Sequence, residues 1–235
     1  MTEQTANTVH VVLLSLSEPD DKTYKQFYDA ASDERRWKAD RYRRHDDAVR
    51  CIMAEALVRY VYASTGKRTE APEFVYPPRG KPYLQNDRAF HFSVSHTGML
   101  AAVGYAEGEI GIDLEQIDRP LDRKSIADSV FTAEEQAYVF ELPDEQTCSL
   151  RFAELWTAKE SYLKYLGCGF CKNPLSFSVD LKNKSVHEKE CGTVPRITLL
   201  GDRLPENYYL TVCGNIRSLS LKFVTYRSVM DVILK

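Results

Sequence analysis

The chain has 235 residues, 43% hydrophobic and 28% charged, with a formal net charge of −3. This length builds one large domain or two smaller ones, and the near-neutral balance excludes general affinity for nucleic acid or a membrane surface. No apolar run reaches the length of a transmembrane helix, so no membrane partner is expected.

Val9 to Leu16, within MTEQTANTVHVVLLSLSEPD, follows neither a basic leader nor a small-residue cleavage site. It predicts a first strand instead of a signal peptide, and with it a cytoplasmic protein. From Asp21 to about Arg44 the chain is polar, with Tyr24, Phe27, Tyr28 and Trp37 at roughly helical spacing. DDAVRCIMAEALVRYVYASTG predicts a helix. Val49, Ile52, Met53, Ala56, Tyr60 and Ala63 make its stripe, Asp46 or Asp47 caps its start, and Gly66 stops it. PPRGKP is a turn-rich loop. AFHFSVSHTGMLAAVGYAEG reads as a strand, a Thr-Gly turn, and a second apolar strand or a short helix leading to one; EIGIDLEQID is the next strand.

In the second half, DRKSIADSVFTAEEQAYVFEL predicts a helix in which Thr132 and Glu135 form a capping box. SLRFAELWTAKESYLKYLG is the strongest amphipathic helix. Phe152, Leu155, Trp156, Tyr162, Leu163 and Leu166 form its core stripe, and Gly167 ends it. SFSVDL, VPRITLL, YYLTVCG and LSLKFVTY predict strands. The element order predicts an α+β fold of two lobes, residues 1–107 and 108–235, meeting near YAEGEIG.

In GEIGIDLEQID, Asp113 and Glu115 fall on one face of the strand while Ile112 and Leu114 face a core. The two carboxylates stand about 7 Å apart along the strand. Their repulsion is roughly 2 kcal/mol at an intermediate dielectric, and a cation between them reverses it. The plain alternative is a half-exposed strand with an acidic outer face. Lying just after the lobe junction, the pair would border an interlobe cleft, where binding sites form.

On the amphipathic helix, Glu160 and Lys164 are four apart and share a face, with Lys159 one residue earlier. They make either a surface ion pair or, if that face meets the acidic strand, a third carboxylate for a Mg2+ site beside phosphate-neutralising lysines. DERRWKADRYRRHDDAVR holds Arg35, Lys38, Arg43 and Arg50 among interleaved acids, the pattern of a solvated charged helix. Lys81 sits in RGKP. SVSHTG puts Ser95 and His96 at a strand end, where a hydroxyl and an imidazole can bind phosphate. No Gly-x-Ser-x-Gly elbow, phosphate-binding loop or dinucleotide fingerprint is present, against an ordinary hydrolase, kinase or dehydrogenase.

The six cysteines suit free thiols better than a disulfide framework. Cys168, Cys171, His187 and Cys191 can be written as a zinc set, or Cys168-Gly-Phe-Cys171 as a redox pair, but no neighbouring residue supports either. Asn183-Lys184-Ser185 is a glycosylation sequon without meaning in a cytoplasmic chain.

Taken in order, RGKPYL, FSVSHTG, GIDLE, FTAEE, WTAKESYLK and NPLSFSV resemble the Sfp-type 4′-phosphopantetheinyl transferases, from about Arg35 to Val179. The resemblance implies a pseudo-dimer of two similar α/β lobes with the active site in the interlobe cleft. It implies transfer of the 4′-phosphopantetheine arm of coenzyme A to a serine of an apo acyl, peptidyl or aryl carrier protein, releasing adenosine 3′,5′-bisphosphate. By the same resemblance Asp113, Glu115 and Glu160 would hold Mg2+. Lys159 and Lys164 match the basic positions of the motif helix; Lys81, Ser95 and His96 match positions that contact cofactor phosphates. Arg50 and the run with Arg35, Lys38 and Arg43 lie where the family binds the 3′-phosphate end.

Glu160, Lys164 and His96 are thus the catalytic candidates. The serine proton would go to Glu160 directly or through a water on the metal. The departures from the family pattern, Leu114 and Thr157-Ala158, remove no ligand. Coenzyme A and a carrier protein are the expected partners, with no nucleic acid, and the complete two-lobe element set favours a monomer. A carrier-binding homologue without turnover, or a metal-dependent phosphodiesterase, are the rival readings. The first would bind carriers without transfer; the second needs more His and Asp ligands than the chain supplies.

Overall fold

Strand β1, Thr8–Ser15, runs through the middle of the molecule because both of its faces are apolar. Val9, Val11 and Leu13 are buried on one side and Val12 and Leu14 on the other. The computed structural model describes residues 7–17, 19–66, 71–78, 80–141, 144–167, 172–190, 192–194 and 196–234.

After β1 come helices α1 (Asp21–Ala30), α2 (Asp33–Ala39) and α3 (His45–Ser64). The short strands β2 (Phe74–Val75) and β3 (Tyr83–Leu84) precede β4 (His91–Thr97), β5 (Leu100–Ala106) and β6 (Ile110–Gln116). Helices α4 (Arg123–Val130), α5 (Ala133–Phe140) and α6 (Glu145–Leu166) follow. Then come β7 (Phe177–Asp180), β8 (Ser185–Glu188), β9 (Gly192–Thr193), β10 (Thr198–Leu204), β11 (Tyr208–Gly214) and β12 (Ser218–Val224), and last α7 (Tyr226–Ile233).

The main strands form two sheets, ordered β12-β1-β5-β4 and β10-β11-β6. One face of the first sheet packs on α3 through Val12, Leu14, Phe92 and Val103. Its other face meets the second sheet through Val9, Val11, Leu13, Ile110, Ile112 and Leu114. Gly104 of β5 makes room there: a Cβ on it would sit 2.6 Å from the Ile112 Cγ2. Helix α6 lies on the outer face of the second sheet, where Ala158, Tyr162 and Leu163 share a core with Leu199 and Cys213. The layers therefore run helix, sheet, sheet, helix.

This arrangement is α+β. Helix α3 is buried around most of its circumference, so its apolar residues are a full core segment and not the single stripe expected; Ala63 is exposed. Its N-cap is Arg44 without a side-chain cap bond, and Asp46 and Asp47 sit in the first turn, where they complement the helix dipole instead of capping it. The predicted helix around Thr132 is two helices, because Thr132 caps α5 in a capping box with Glu135 after α4 ends at Val130. Helix α7 has no counterpart in the sequence reading. Strand β12 pairs in parallel with β1 and Val229 of α7 enters the α3 core, so the C-terminal segment packs with the first sheet across the 107/108 junction. Among the described residues, no helix is long and apolar enough to cross a membrane.

Candidate functional site

Strands β4 and β6 are the facing edges of the two sheets, and side-chain hydroxyls stitch them together. The amides of Ile112 and Leu114 donate to Ser93 Oγ (3.1 Å) and Ser95 Oγ (3.2 Å). Ser95 Oγ donates in turn to Asp113 Oδ1 (2.9 Å), and Thr97 Oγ1 to Glu115 Oε1 (2.9 Å). Both acids are buried, at 6% and 7% exposure, so β6 is not the half-exposed strand of the plain reading. Ser93 and Thr97 were absent from the sequence-derived set. Their signal was the same alternation that marked the acids, Ser93, Ser95 and Thr97 at i, i+2 and i+4 on β4, two strands earlier.

Gly111 shares the face of β6 that carries Asp113 and Glu115. A Cβ built there would collide with the Ser161 carbonyl oxygen and the Tyr165 amide, so α6 rests directly on the strand backbone. That close approach aims one face of α6 at the acids. Lys164 Nζ donates to Asp113 Oδ1 at 2.6 Å. Glu160, one turn earlier, lines the same cleft. Burial pushes its carboxyl up to about 7, the nearby Asp113 charge adds to the shift, and Lys164 opposes it. Arg119 Nη1 lies 3.6 Å from Glu115 Oε1; the sequence reading did not select it, because nothing in EQIDRP distinguishes it from a loop arginine.

The cleft encloses about 390 Å³ and is closed on the other side by the first half of the chain. Arg35 and Lys38, one turn apart on α2, line it together with His96 of β4. Burial pushes the His96 imidazole down to about 4, and the charges of Lys164, Arg50 and Arg35 add to the shift. His96 is exposed at the cleft wall, where these three cations act on its ring. Arg50 itself is tied to the Gly98 carbonyl (2.9 Å) and Asp47 (2.7 Å) at the end of the β4–β5 hairpin.

Four sequence-derived residues do not line this cleft: Arg50, held as just described, Lys159, Lys81 and Arg43. Lys159 is 2% exposed on the opposite side of α6, paired with Glu135 at 2.7 Å and donating to the carbonyls of Val130, Pro174 and Phe177. One residue along a helix turns the side chain by about 100°, so Lys159 cannot share a face with both Glu160 and Lys164. Lys81 is bound to Glu109 and the Ile110 carbonyl in a neighbouring cavity of about 460 Å³, with Pro82 common to both cavities. Arg43 is exposed and lines neither. Cys168, Cys171 and Cys191 lie outside the described residues.

Among the described residues no three or more His, Cys, Asp or Glu side chains are gathered as a preformed metal centre. The donor chemistry of the cleft still suits a hard cation. Asp113, Glu115 and Glu160 are carboxylates lining one cavity, and Asp113 raises the Glu160 carboxyl by like-charge repulsion, the situation a divalent ion relieves. The Lys164 ammonium supplies the positive charge against Asp113 in this conformation.

A family model described as the 4′-phosphopantetheinyl transferase superfamily matches residues 109–213. The chain is 31% identical over 161 residues to 4′-phosphopantetheinyl transferase psf-1 of Bacillus pumilus, covering 68% of each chain. It is 33% identical over 176 residues to 4′-phosphopantetheinyl transferase HetI of a Nostoc species, covering 71% of this chain and 72% of the relative. To 4′-phosphopantetheinyl transferase Sfp of Bacillus subtilis it is 31% identical over 159 residues, covering 67% and 69%.

Proposed function

The chain belongs to the 4′-phosphopantetheinyl transferase superfamily and is a transferase of that class, and we propose that its cleft moves the 4′-phosphopantetheine arm of coenzyme A onto a serine of an apo acyl, peptidyl or aryl carrier protein. The observation that carries this reading is the grouping of Asp113, Glu115, Glu160 and Lys164 in one cavity, with Arg35 and Lys38 on its far wall. Such a cavity suits a pyrophosphate held between carboxylate-bound cation and basic side chains.

In the transfer, the serine Oγ forms a bond to the β-phosphorus of coenzyme A. The bond from that phosphorus to the bridging oxygen breaks, and adenosine 3′,5′-bisphosphate leaves with the electron pair. Asp113, Glu115 and Glu160 would hold Mg2+, which supplies charge neutralisation at the pyrophosphate. Lys164 neutralises charge on the phosphate oxygens as it develops, and it reaches them by leaving Asp113. His96, neutral at physiological pH, offers a ring N–H instead of a fixed charge. Glu160 is the candidate acceptor of the serine proton; its carboxyl is raised to about 7 in the metal-free cleft, and a bound cation would lower it. Arg35 and Lys38 would take the nucleotide's 3′-phosphate end. Catalysis on this reading is mostly positioning and charge stabilisation.

The finer architecture we propose is the family's pseudo-dimer, in which α3 and α6 are counterparts, each lying on one sheet. We propose a monomer acting in the cytoplasm. The reading is tested by coenzyme A binding at rising ionic strength: affinity should fall steeply, because phosphates meet Lys and Arg. A flat salt dependence would count against this cleft as the coenzyme A site.

A further inference from the structure

Glu55 is a carboxylate in the middle of the buried helix α3, with its side chain fully shielded from solvent. Ser32, the N-cap of α2, donates to it through both its amide (2.8 Å) and its hydroxyl (2.6 Å). Tyr76 OH donates at 2.6 Å, and Arg59 at 2.9 and 2.7 Å. Burial alone would raise this carboxyl, but the Ser32 and Tyr76 hydrogen bonds and the Arg59 charge hold it below the usual range. One ionised side chain thus ties together the start of α2, the body of α3 and the loop after β2.

Arg35 sits in the middle of this arrangement. Its guanidinium lies over the Tyr76 ring, 4.4 Å from the centroid, and its Nη1 reaches Cys51 Sγ at 3.6 Å. Its Nε is buried without a hydrogen-bond partner among the described residues, with Glu55 Oε2 3.8 Å away. A buried donor left unpaired is poor economy for a residue kept only for stability. The guanidinium packs on the Tyr76 ring and is balanced by Glu55, while Arg35 lines the cleft beside Lys38.

We infer that Glu55, with Tyr76 and Ser32, is a positioning residue that fixes the Arg35 guanidinium against the cleft, so that selection of coenzyme A over its 3′-dephospho form depends on a carboxylate that never touches the cofactor. The inference rests on the proposed coenzyme A site and deepens it. Glu55 sets the direction of the fork through Ser32 and Tyr76, and its charge keeps the guanidinium from swinging toward the cleft acids. Without it Arg35 keeps its charge but loses its aim, and a misaimed guanidinium loses the directed, charge-assisted hydrogen bond on which phosphate recognition depends.

The test is steady-state transfer by Glu55→Gln, Tyr76→Phe, Arg35→Ala and the Glu55→Gln/Arg35→Ala double variant, with coenzyme A and with 3′-dephospho-coenzyme A, alongside thermal unfolding. Arg35→Ala should raise the KM for coenzyme A about tenfold and leave that for the dephospho form unchanged. Glu55→Gln and Tyr76→Phe should do the same more weakly, with kcat and the carrier KM unchanged, and Glu55→Gln should add nothing on the Arg35→Ala background. If Glu55→Gln fails to fold, Tyr76→Phe, which removes one hydroxyl, carries the test. If Arg35→Ala raises the KM while the Glu55 and Tyr76 variants lose only thermal stability, or Glu55→Gln adds fully to Arg35→Ala, the positioning role is overturned and the coenzyme A site stands. An Arg35→Ala enzyme with unchanged KM overturns the placement of the nucleotide end, and this inference with it.

Discussion

Gly111 of β6 lies directly beneath Ser161 of α6, with no space for a Cβ between strand and helix. The same contact sets Lys164 on Asp113 and brings Glu160 to the cleft, because both project from the helix face that this approach fixes. Gly111→Ala should therefore do two things. The inserted methyl meets backbone atoms that cannot rotate away, so stability should drop by about 1–3 kcal/mol or more. The lost docking should also lower transfer in the folded protein. Thermal unfolding and turnover check this together; an unchanged melting temperature would show that α6 does not rest on this glycine.

Lys164→Ala should slow transfer on the order of 10²-fold or more, through loss of charge stabilisation at the phosphate oxygens. The variant also removes the counter-ion of Asp113 in the free protein. A modest change in stability with a large rate loss is the expected pattern. An unchanged rate would reduce Lys164 to a structural ion pair.

Lys159→Met should behave in the opposite way. Its ammonium is held by Glu135 and three carbonyls away from the cleft, and burial lowers its pKa, with Glu135 opposing. Removing one partner of a buried pair costs about 3–5 kcal/mol. Unfolding in denaturant should show that loss, with the coenzyme A KM of the folded protein unchanged. A KM increase without loss of stability would put Lys159 back among the cofactor contacts.

His96 should titrate with a midpoint about 4, far below the ordinary imidazole value of 6.5. Between pH 6.5 and 4 the unfolded chain then binds a proton that the folded chain refuses. The contribution of His96 to stability is complete above 6.5 and is withdrawn as pH falls toward 4. The imidazole C–H resonances followed by NMR report the midpoint directly, and His96→Gln should flatten the stability profile in that window. A midpoint near 6.5 would mean that the cations of Lys164, Arg50 and Arg35 do not act on this ring.

The acidic strand was legible because alternation forces the outcome. Once Ile112 and Leu114 enter the core between the sheets, Asp113 and Glu115 have to face the other way. The Glu160–Lys164 pair was legible from its four-residue spacing on a helix whose apolar stripe fixes its orientation. Lys159 lies apart from them because neighbouring residues on a helix are turned about 100° from each other, and it is drawn to Glu135 instead. The hydroxyl ladder of Ser93, Ser95 and Thr97 was only partly visible, since small polar residues in a strand carry no sign of which neighbour they bind. The parallel pairing of β12 with β1, and the docking of α7 beside it, join residues some two hundred positions apart. No local pattern encodes such a pairing, and it is what makes the two halves interlock. The Glu55 clamp was hidden for a related reason: a lone glutamate in an apolar helix shows its role only when Ser32, Tyr76 and Arg59 are seen to close around it.

The most direct measurement is the intact mass of an apo carrier protein after incubation with coenzyme A, Mg2+ and either the wild-type enzyme or a folded Asp113→Ala variant. The account predicts that the carrier gains the phosphopantetheine arm with the wild type, gains none when Mg2+ is chelated, and gains none with the variant. Equal gain with Asp113→Ala, or no gain by the wild type on acyl, peptidyl and aryl carriers alike, would contradict it.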